Sequence, residues 1–411
     1  PGLDELLRDG QATGRLTFST DFADAARAQV HFLCVGTPQS KTSDGADLTF
    51  LVSATTSLLP HLARGAVVVG KSTVPVGTVD MVRGILARRP DVLLGWNPEF
   101  LRQGTAVKDS LVPDRLVYGV AGGRAAAFDP ATNAPRGVTA ALDSVYEPLL
   151  NAGIPRLVSN FATAELIKSA ANAYLATKVS FINAMSELCD ASGADVTELG
   201  EAMGLDPRIG SRYLHAGLGF GGGCLPKDIR SFRAQAAALN VDSVDHWMGV
   251  VDAVNVAQRS RTVDLARELC GDLAGRTVTV LGAAFKPDTD DIRDSPALDV
   301  AARLAAAGAH VTVTDPKAIN QAWMRYPQLR FEVSTRRALE GAELVLLLTE
   351  WDEYRRLSPA MAGGLVRRRV VLDARNVLDA VAWESEGWVV RGLGRQVADH
   401  APAALTEVRN F

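Results

Sequence analysis

Gly219 to Asp228 reads GFGGGCLPKD and is the segment of this sequence best suited to covalent chemistry. Four glycines and one aromatic lead into Cys224, and Pro226, two positions on, suits the first turn of a helix. That places Cys224 at a helix N-terminus, where the helix dipole and the neighbouring Lys227 favour the thiolate, the form that attacks carbon. A small buried cysteine in a turn is the alternative. Glu165, Lys168 and Asn172 follow at i, i+3 and i+7, so one helix face presents all three. Asn172 lies between alanines in mid-helix, where its propensity is poor, which points to a retained polar role; a solvated polar stripe is the alternative. Asn97-Pro98-Glu99-Phe100 follows an apolar run ending near Trp96. At the carboxyl end of a strand Glu99 can face a cofactor or a hydrolytic water, unless it is only a surface carboxylate. Gly282 to Lys286, GAAFK, follows another such run, with Arg293 and then Asp315 beyond it. It resembles a nucleotide-binding turn whose later glycines are replaced, where Lys286 supplies a point charge for a diphosphate and Arg375 a bidentate fork. The six histidines are dispersed without ligand spacing and predict no metal site.

These groups need elements to hold them. Short apolar runs at Val30 to Val35, Ala66 to Gly70, Val92 to Trp96 and Arg115 to Val120 alternate with amphipathic stretches, the rhythm of a doubly wound sheet. From Asn160 to Asp190 an Ala-rich stretch without proline or glycine predicts a long helix, and Asp242 to Leu269 predicts a second, connecting one. Strand rhythm returns at Thr277 to Leu281, His310 to Thr314, Leu344 to Leu348 and Val370 to Asp373. The expected fold class is α/β: two doubly wound Rossmann-like domains joined by a central helical domain with a long connecting helix. The expected domains are residues 1–158, 159–268 and 269–411.

Two motif matches fail on physical grounds. Gly65 to Ser72, GAVVVGKS, satisfies the P-loop expression, yet its intervening Ala66 to Val69 is itself the strand and cannot cradle a phosphate. Gly217 to Gly222, GLGFGG, satisfies G-x-G-x-x-G, but the preceding Arg212 to Ala216 lacks strand character. These glycines instead bring backbone amides close to a ligand beside Cys224. A dinucleotide fingerprint is missing before Val30, so a preceding segment with the first strand, glycine turn and helix is expected, and the chain as written should bind a dinucleotide poorly.

Composition narrows the class. With 411 residues, 47% hydrophobic and 22% charged, the chain has material for two or three packed domains. A net charge of -4 gives no general field for nucleic acid or anionic membranes, so neither is an expected partner. Four scattered cysteines without a C-x-x-C pair suit a reducing cytoplasm. No apolar stretch approaches the roughly 20 residues of a membrane helix.

Taken in order, seven segments resemble the UDP-glucose/GDP-mannose dehydrogenase family. They are VGTP (Val35 to Pro38), KSTVPVGT (Lys71 to Thr78), NPEFLRQG (Asn97 to Gly104), PDR (Pro113 to Arg115), AELIKSAANAYLATKVSF (Ala164 to Phe181), GFGGGCLPKD, and GAAFKPDTDDIRDSP (Gly282 to Pro296). The resemblance implies an NAD-dependent four-electron oxidation of a nucleotide sugar, with PDR leaning towards UDP-glucose. It implies Cys224 as nucleophile, Lys168 as oxyanion-stabilising cation and Asn172 as a hydrogen-bonding partner. Asp228 would orient a water, Glu99 would assist thioester hydrolysis, and Thr73 would help place that water or the cofactor. Around NAD it implies Val35, Gly36, Thr37, Pro38, Ser72, Thr73, Glu99, Lys227 and Arg293. Around the sugar nucleotide it implies Phe100, Leu101, Lys168, Asn172, Tyr213, Leu214, Gly219, Phe220, Gly221, Phe285, Lys286 and Arg375. A homodimer paired through the central helices is also implied. Gln103 departs from the family, where glutamate is common, and puts one cofactor-side contact in question. A two-electron hydroxyacid dehydrogenase, another nucleotide-sugar dehydrogenase and a non-catalytic nucleotide-sugar binder are the competing readings.

Overall fold

The computed structural model describes residues 2–40 and 42–395, so the outer limits expected for the first and last domains, Pro1 and Phe411, lie outside the described residues. The chain divides into two compact units, residues 1–173 with 230–245, and residues 174–229 with 246–411.

In the first unit, β1 (Val30–Leu33), β2 (Val67–Gly70), β3 (Leu93–Trp96), β4 (Leu116–Gly119) and β5 (Arg156–Ser159) form one sheet in that order. The first three strands pair in parallel, as do β4 and β5, while β3 meets β4 antiparallel at Trp96 and Gly119. Both faces are covered, which is why the strands read as unbroken apolar runs. Val68 and Val117 enter the core on one face, while Val67, Val69, Leu116 and Tyr118 enter the core on the other. Gly70, the second glycine of the P-loop look-alike, ends β2 beneath Trp96; a Cβ there would lie 2.0 Å from the indole. β5 escaped the sequence reading because only Leu157 and Val158 are apolar, between Arg156 and Ser159.

In the second unit, β6 (Thr277–Leu281), β7 (His310–Thr314), β8 (Arg330–Phe331), β9 (Leu344–Leu347), β10 (Val370–Asp373) and β11 (Val389–Gly392) make an all-parallel sheet ordered β11-β10-β9-β6-β7-β8. This is the doubly wound order of a dinucleotide fold, and its switch point lies between β6 and β9. β8 and β11 were not foreseen, the one being two residues long and the other interrupted by Arg391.

Three helices carry the groups of interest. The lysine helix, Phe161–Ser192, begins after Asn160, whose side chain accepts from the Thr163 amide as an N-cap. Its residues up to Ala173 belong to the first unit and those from Tyr174 to the second. The cysteine helix spans Leu225–Ala238 and the connecting helix Asp242–Cys270. No described helix is long and apolar enough to cross a membrane.

Candidate active site

In the first unit the polar groups project from strand ends and from the lysine helix. The turn after β1 and the turn after β2 are bound together: Ser72 Oγ donates to the Val35 carbonyl (2.6 Å) and Thr37 Oγ1 to the Thr73 carbonyl (2.7 Å). A cleft of about 480 Å³ opens beside them, lined by Phe22, Val35, Gly36, Phe50, Ser53, Ala54 and Ser57. Lys168 is buried, and its Nζ stands 3.6 Å from Glu99 Oε1 and 5.6 Å from the Phe100 ring. Arg115 covers Phe100 as well, its guanidinium carbon 3.9 Å from the ring centroid. The other Glu99 oxygen accepts from the Leu101 amide at 2.5 Å, which fixes the carboxylate over its own turn.

The start of that turn is pinned from below. Asn97 is buried; its Nδ2 donates to the Val117 carbonyl, and its Oδ1 accepts from Lys71 Nζ (2.9 Å) and Tyr146 Oη (2.6 Å). Burial pushes the Lys71 pKa down, against the opposing pull of the Cys34 and Glu99 charges. Glu165 does different work from its helix neighbours. Its carboxylate accepts from the amides of Gly77 (2.9 Å) and Val79 (2.7 Å), capping the helix Thr78–Leu86. Asn172, one turn beyond Lys168, is buried.

In the second unit the site is built from backbone. Cys224 is exposed, and its carbonyl accepts the Asp228 amide at 2.8 Å, so it occupies the N-cap position of the cysteine helix. The Lys227 ammonium lies 2.7 Å from the carboxylate of buried Asp228. The glycine run before the cysteine is clamped on several sides. Asn183 accepts from the Gly217 amide, and Asn255 both accepts from the Phe220 amide (2.8 Å) and donates to its carbonyl (3.0 Å). Arg375 donates to the Gly219 carbonyl (3.2 Å), and the Gly222 amide donates to the Arg293 carbonyl (2.9 Å). The glycines are required by this crowding. Gly219 (φ +91) would place a Cβ 2.4 Å from Asn255, and Gly222 (φ +86) would place one 2.7 Å from the Phe285 ring. Upstream, Tyr213 holds a left-handed φ of 66, and Leu214 is buried.

At the switch point the turn after β6 is already satisfied. Asp315 accepts from the amides of Ala283 (2.7 Å) and Ala284 (2.9 Å) and from Trp351 Nε1 (3.0 Å). A diphosphate at this turn would therefore meet side chains rather than that amide pair. Lys286 Nζ sits 5.6 Å from the Phe285 ring. Arg375 Nε donates to the Leu348 carbonyl (2.7 Å) and lies 3.2 Å from Glu350.

Models of the family's NAD binding, central and UDP binding domains match residues 1–149, 162–256 and 279–380. The chain belongs to the UDP-glucose/GDP-mannose dehydrogenase family. A UDP-glucose 6-dehydrogenase of Bacillus subtilis is 37% identical, the match covering 96% of this chain and 83% of that one. One from Pseudomonas aeruginosa is also 37% identical, over 98% and 89%. The solved UDP-glucose dehydrogenase of Pyrobaculum islandicum superposes with a TM-score of 0.85 at 34% identity, covering 96% of this chain and 87% of that one. This member of the dehydrogenase family is an NAD-dependent nucleotide-sugar 6-dehydrogenase.

Within each unit, several residues singled out from this dehydrogenase's sequence come together: Glu99, Phe100 and Lys168 in the first, and Gly219, Phe285 and Arg375 in the second. The sequence reading missed Asn183 and Asn255, both buried on helices and both holding the cysteine loop. Their signal was available, because asparagine in mid-helix is the same anomaly that singled out Asn172. It also gave no role to Lys71, although that residue opens the KSTVPVGT segment, or to Tyr146, which no motif announces; both pin the Glu99 turn.

Proposed function

We propose that this enzyme oxidises UDP-glucose to UDP-glucuronate in two successive two-electron steps through a thioester on Cys224. The observation that carries the reading is an exposed cysteine at the N-terminus of a 14-residue helix, reached through a glycine run held by four separate side chains or carbonyls. UDP-glucose is favoured over other nucleotide sugars by the relatives, all named UDP-glucose 6-dehydrogenases among the curated matches given above.

The chemistry follows from what each group can do. The 6-hydroxyl is first taken to the aldehyde, which could escape if left free. Cys224 adds to it, forming the C–S bond of a thiohemiacetal whose oxygen takes up the electron pair. Lys168 stabilises that oxyanion, with Asn172 as a neutral hydrogen-bonding partner. Loss of the remaining carbon-bound hydrogen leaves the thioester. Water held by Asp228, Thr73 and Glu99 then adds to the acyl carbon, the C–S bond breaks, and the thiol returns with release of carboxylate. NAD, when bound, accepts the hydride in each oxidation. The turns Val35 to Pro38 and Ser72 to Thr73 fit it, because they are bonded together beside an apolar-lined cleft at the carboxyl ends of β1 and β2. Lys286 and Arg375 supply positive charge to the nucleotide sugar.

A homodimer belongs to the same proposal. Tyr174, Phe181 and Leu188 recur every seven residues along the lysine helix and are 63%, 44% and 60% exposed, an unpartnered apolar stripe. Sedimentation should give a dimer for the wild type and a monomer for F181E. The catalytic reading is tested by counting NADH per sugar with the full-length protein and several nucleotide sugars. Two NADH per UDP-glucose is the expected count; a count of one defeats the four-electron reading.

A further inference from the structure

The thiolate of a nucleophilic cysteine is favoured by a nearby cation, and the sequence-adjacent one is shared with a carboxylate. Lys227 lies 2.7 Å from Asp228 and is ion-paired there. A different cation is built into the loop. The guanidinium of Arg293 packs on Gly223, the residue before Cys224: a Cβ on Gly223 would lie 2.4 Å from Cζ and 2.5 Å from Nη1. It is held there at two levels. Its carbonyl accepts from the Gly222 amide, and its Nε and Nη2 grip Asp291 at 2.9 Å and 2.6 Å, which turns the Nη1 edge towards the cysteine loop.

We propose that Arg293 is a positioning residue that keeps the Cys224 sulfur in its thiolate form before any nucleotide arrives. This rests on the reading of Cys224 as the nucleophile and adds the group that readies it. Charged groups at the cysteine loop within its own unit include the Lys227–Asp228 pair, the Arg293–Asp291 pair, Asp294 bound to Arg259, Arg375 on the Gly219 carbonyl with Glu350 beside it, and Lys286 on the Phe285 ring that touches Gly222. Asp294 is compensated by Arg259 at 3.0 Å, and Arg375 is committed to the Gly219 and Leu348 carbonyls. Asp291 is buried and spends its carboxylate on the Nε and Nη2 side, whereas the arginine is the member of that pair in contact with Gly223. The coupling is visible from the arginine's side. Bonds to Asp291 first, and the charge of Cys224 after them, raise the Arg293 pKa above its ordinary value. An interaction that favours the charged arginine beside a thiolate favours the thiolate beside the arginine by the same amount. Because the Arg293 side chain is 66% exposed, solvent screens the effect and the expected shift is modest.

The test is the pH dependence of Cys224 alkylation by iodoacetamide, read by peptide mapping so that Cys34 is counted separately, on full-length protein without added nucleotide. In R293Q the midpoint should rise by about half to one pH unit, and R293K should recover most of the wild-type profile. K227Q should move it less than R293Q does. Wild-type protein taken from low to high salt should show a rise in the same direction, a readout that needs no variant to fold. An R293Q profile that overlays the wild type, or a larger shift in K227Q, overturns the proposal, as does a wild-type midpoint indifferent to salt. The parent reading fails separately: C224S that still forms two NADH per sugar removes the nucleophile without touching the alkylation result.

Discussion

The candidate site residues of the two units are held by opposite means. In the first unit, Lys168 and Glu99 are side chains on a helix and a strand-end turn, and they meet each other and Phe100 directly. In the second, Cys224 is delivered by a loop with little regular structure, and the loop's geometry is set by bonds to its own backbone from Asn183, Asn255, Arg375 and Arg293. The first design separates chemistry from stability, because the reactive side chains are not what holds their elements in place. In the second design the two are merged, since every clamp on the loop also satisfies a buried peptide group.

Substitutions sharpen this contrast. The largest effect is expected from K168M, which should lower kcat by about a hundredfold to a thousandfold, the cost of losing one preorganised oxyanion donor. Its urea midpoint should stay near the wild type, and a large loss of stability would erase the distinction between the two units. Next comes N255A. It strands the amide and carbonyl of Phe220 in a buried site, and should destabilise the second unit by about 2–3 kcal/mol in urea unfolding while also lowering kcat. N255A with wild-type stability would show that the loop holds its shape without the clamp.

The smallest effect is a pH dependence in the first unit. Arg102, bonded to Asp109 through Nη2 at 2.6 Å, holds the Asp109 carboxyl well below the usual carboxylate range, against the upward push of burial. A depressed carboxylate stabilises the fold above its unfolded pKa, near 4, and that contribution is lost as pH falls from there through the folded value. Wild type should therefore exceed D109N in urea midpoint at pH 6 and converge on it as the pH is lowered below 3. A constant gap at all pH values would assign the difference to packing.

The same contrast explains what the sequence could disclose. Spacing on a helix is a one-dimensional fact, so Lys168 and Asn172 were readable beside Glu165, although nothing in the spacing foretold that Glu165 caps Thr78–Leu86. Strands buried on both faces were readable as apolar runs, and β6, β7 and β10 have the limits expected of them. The loop around Cys224 was readable only as glycines next to a cysteine. Which partners those glycines make room for is a long-range fact: Asn255, Phe285 and Arg293 arrive from the connecting helix and from the turns beyond β6. The pairing of Lys227 with Asp228 was equally hidden, because adjacent residues on a helix are not usually neighbours in space.

The central claim is that carbon is bonded to the Cys224 sulfur between the two oxidations. Rapid acid quench during the first turnover with UDP-glucose and NAD+, followed by peptide mapping, tests it most directly. The account predicts a sugar-nucleotide acyl group on the Cys224 peptide that rises and then decays as UDP-glucuronate appears. A Cys224 peptide that stays unmodified at every time point while UDP-glucuronate accumulates would contradict it.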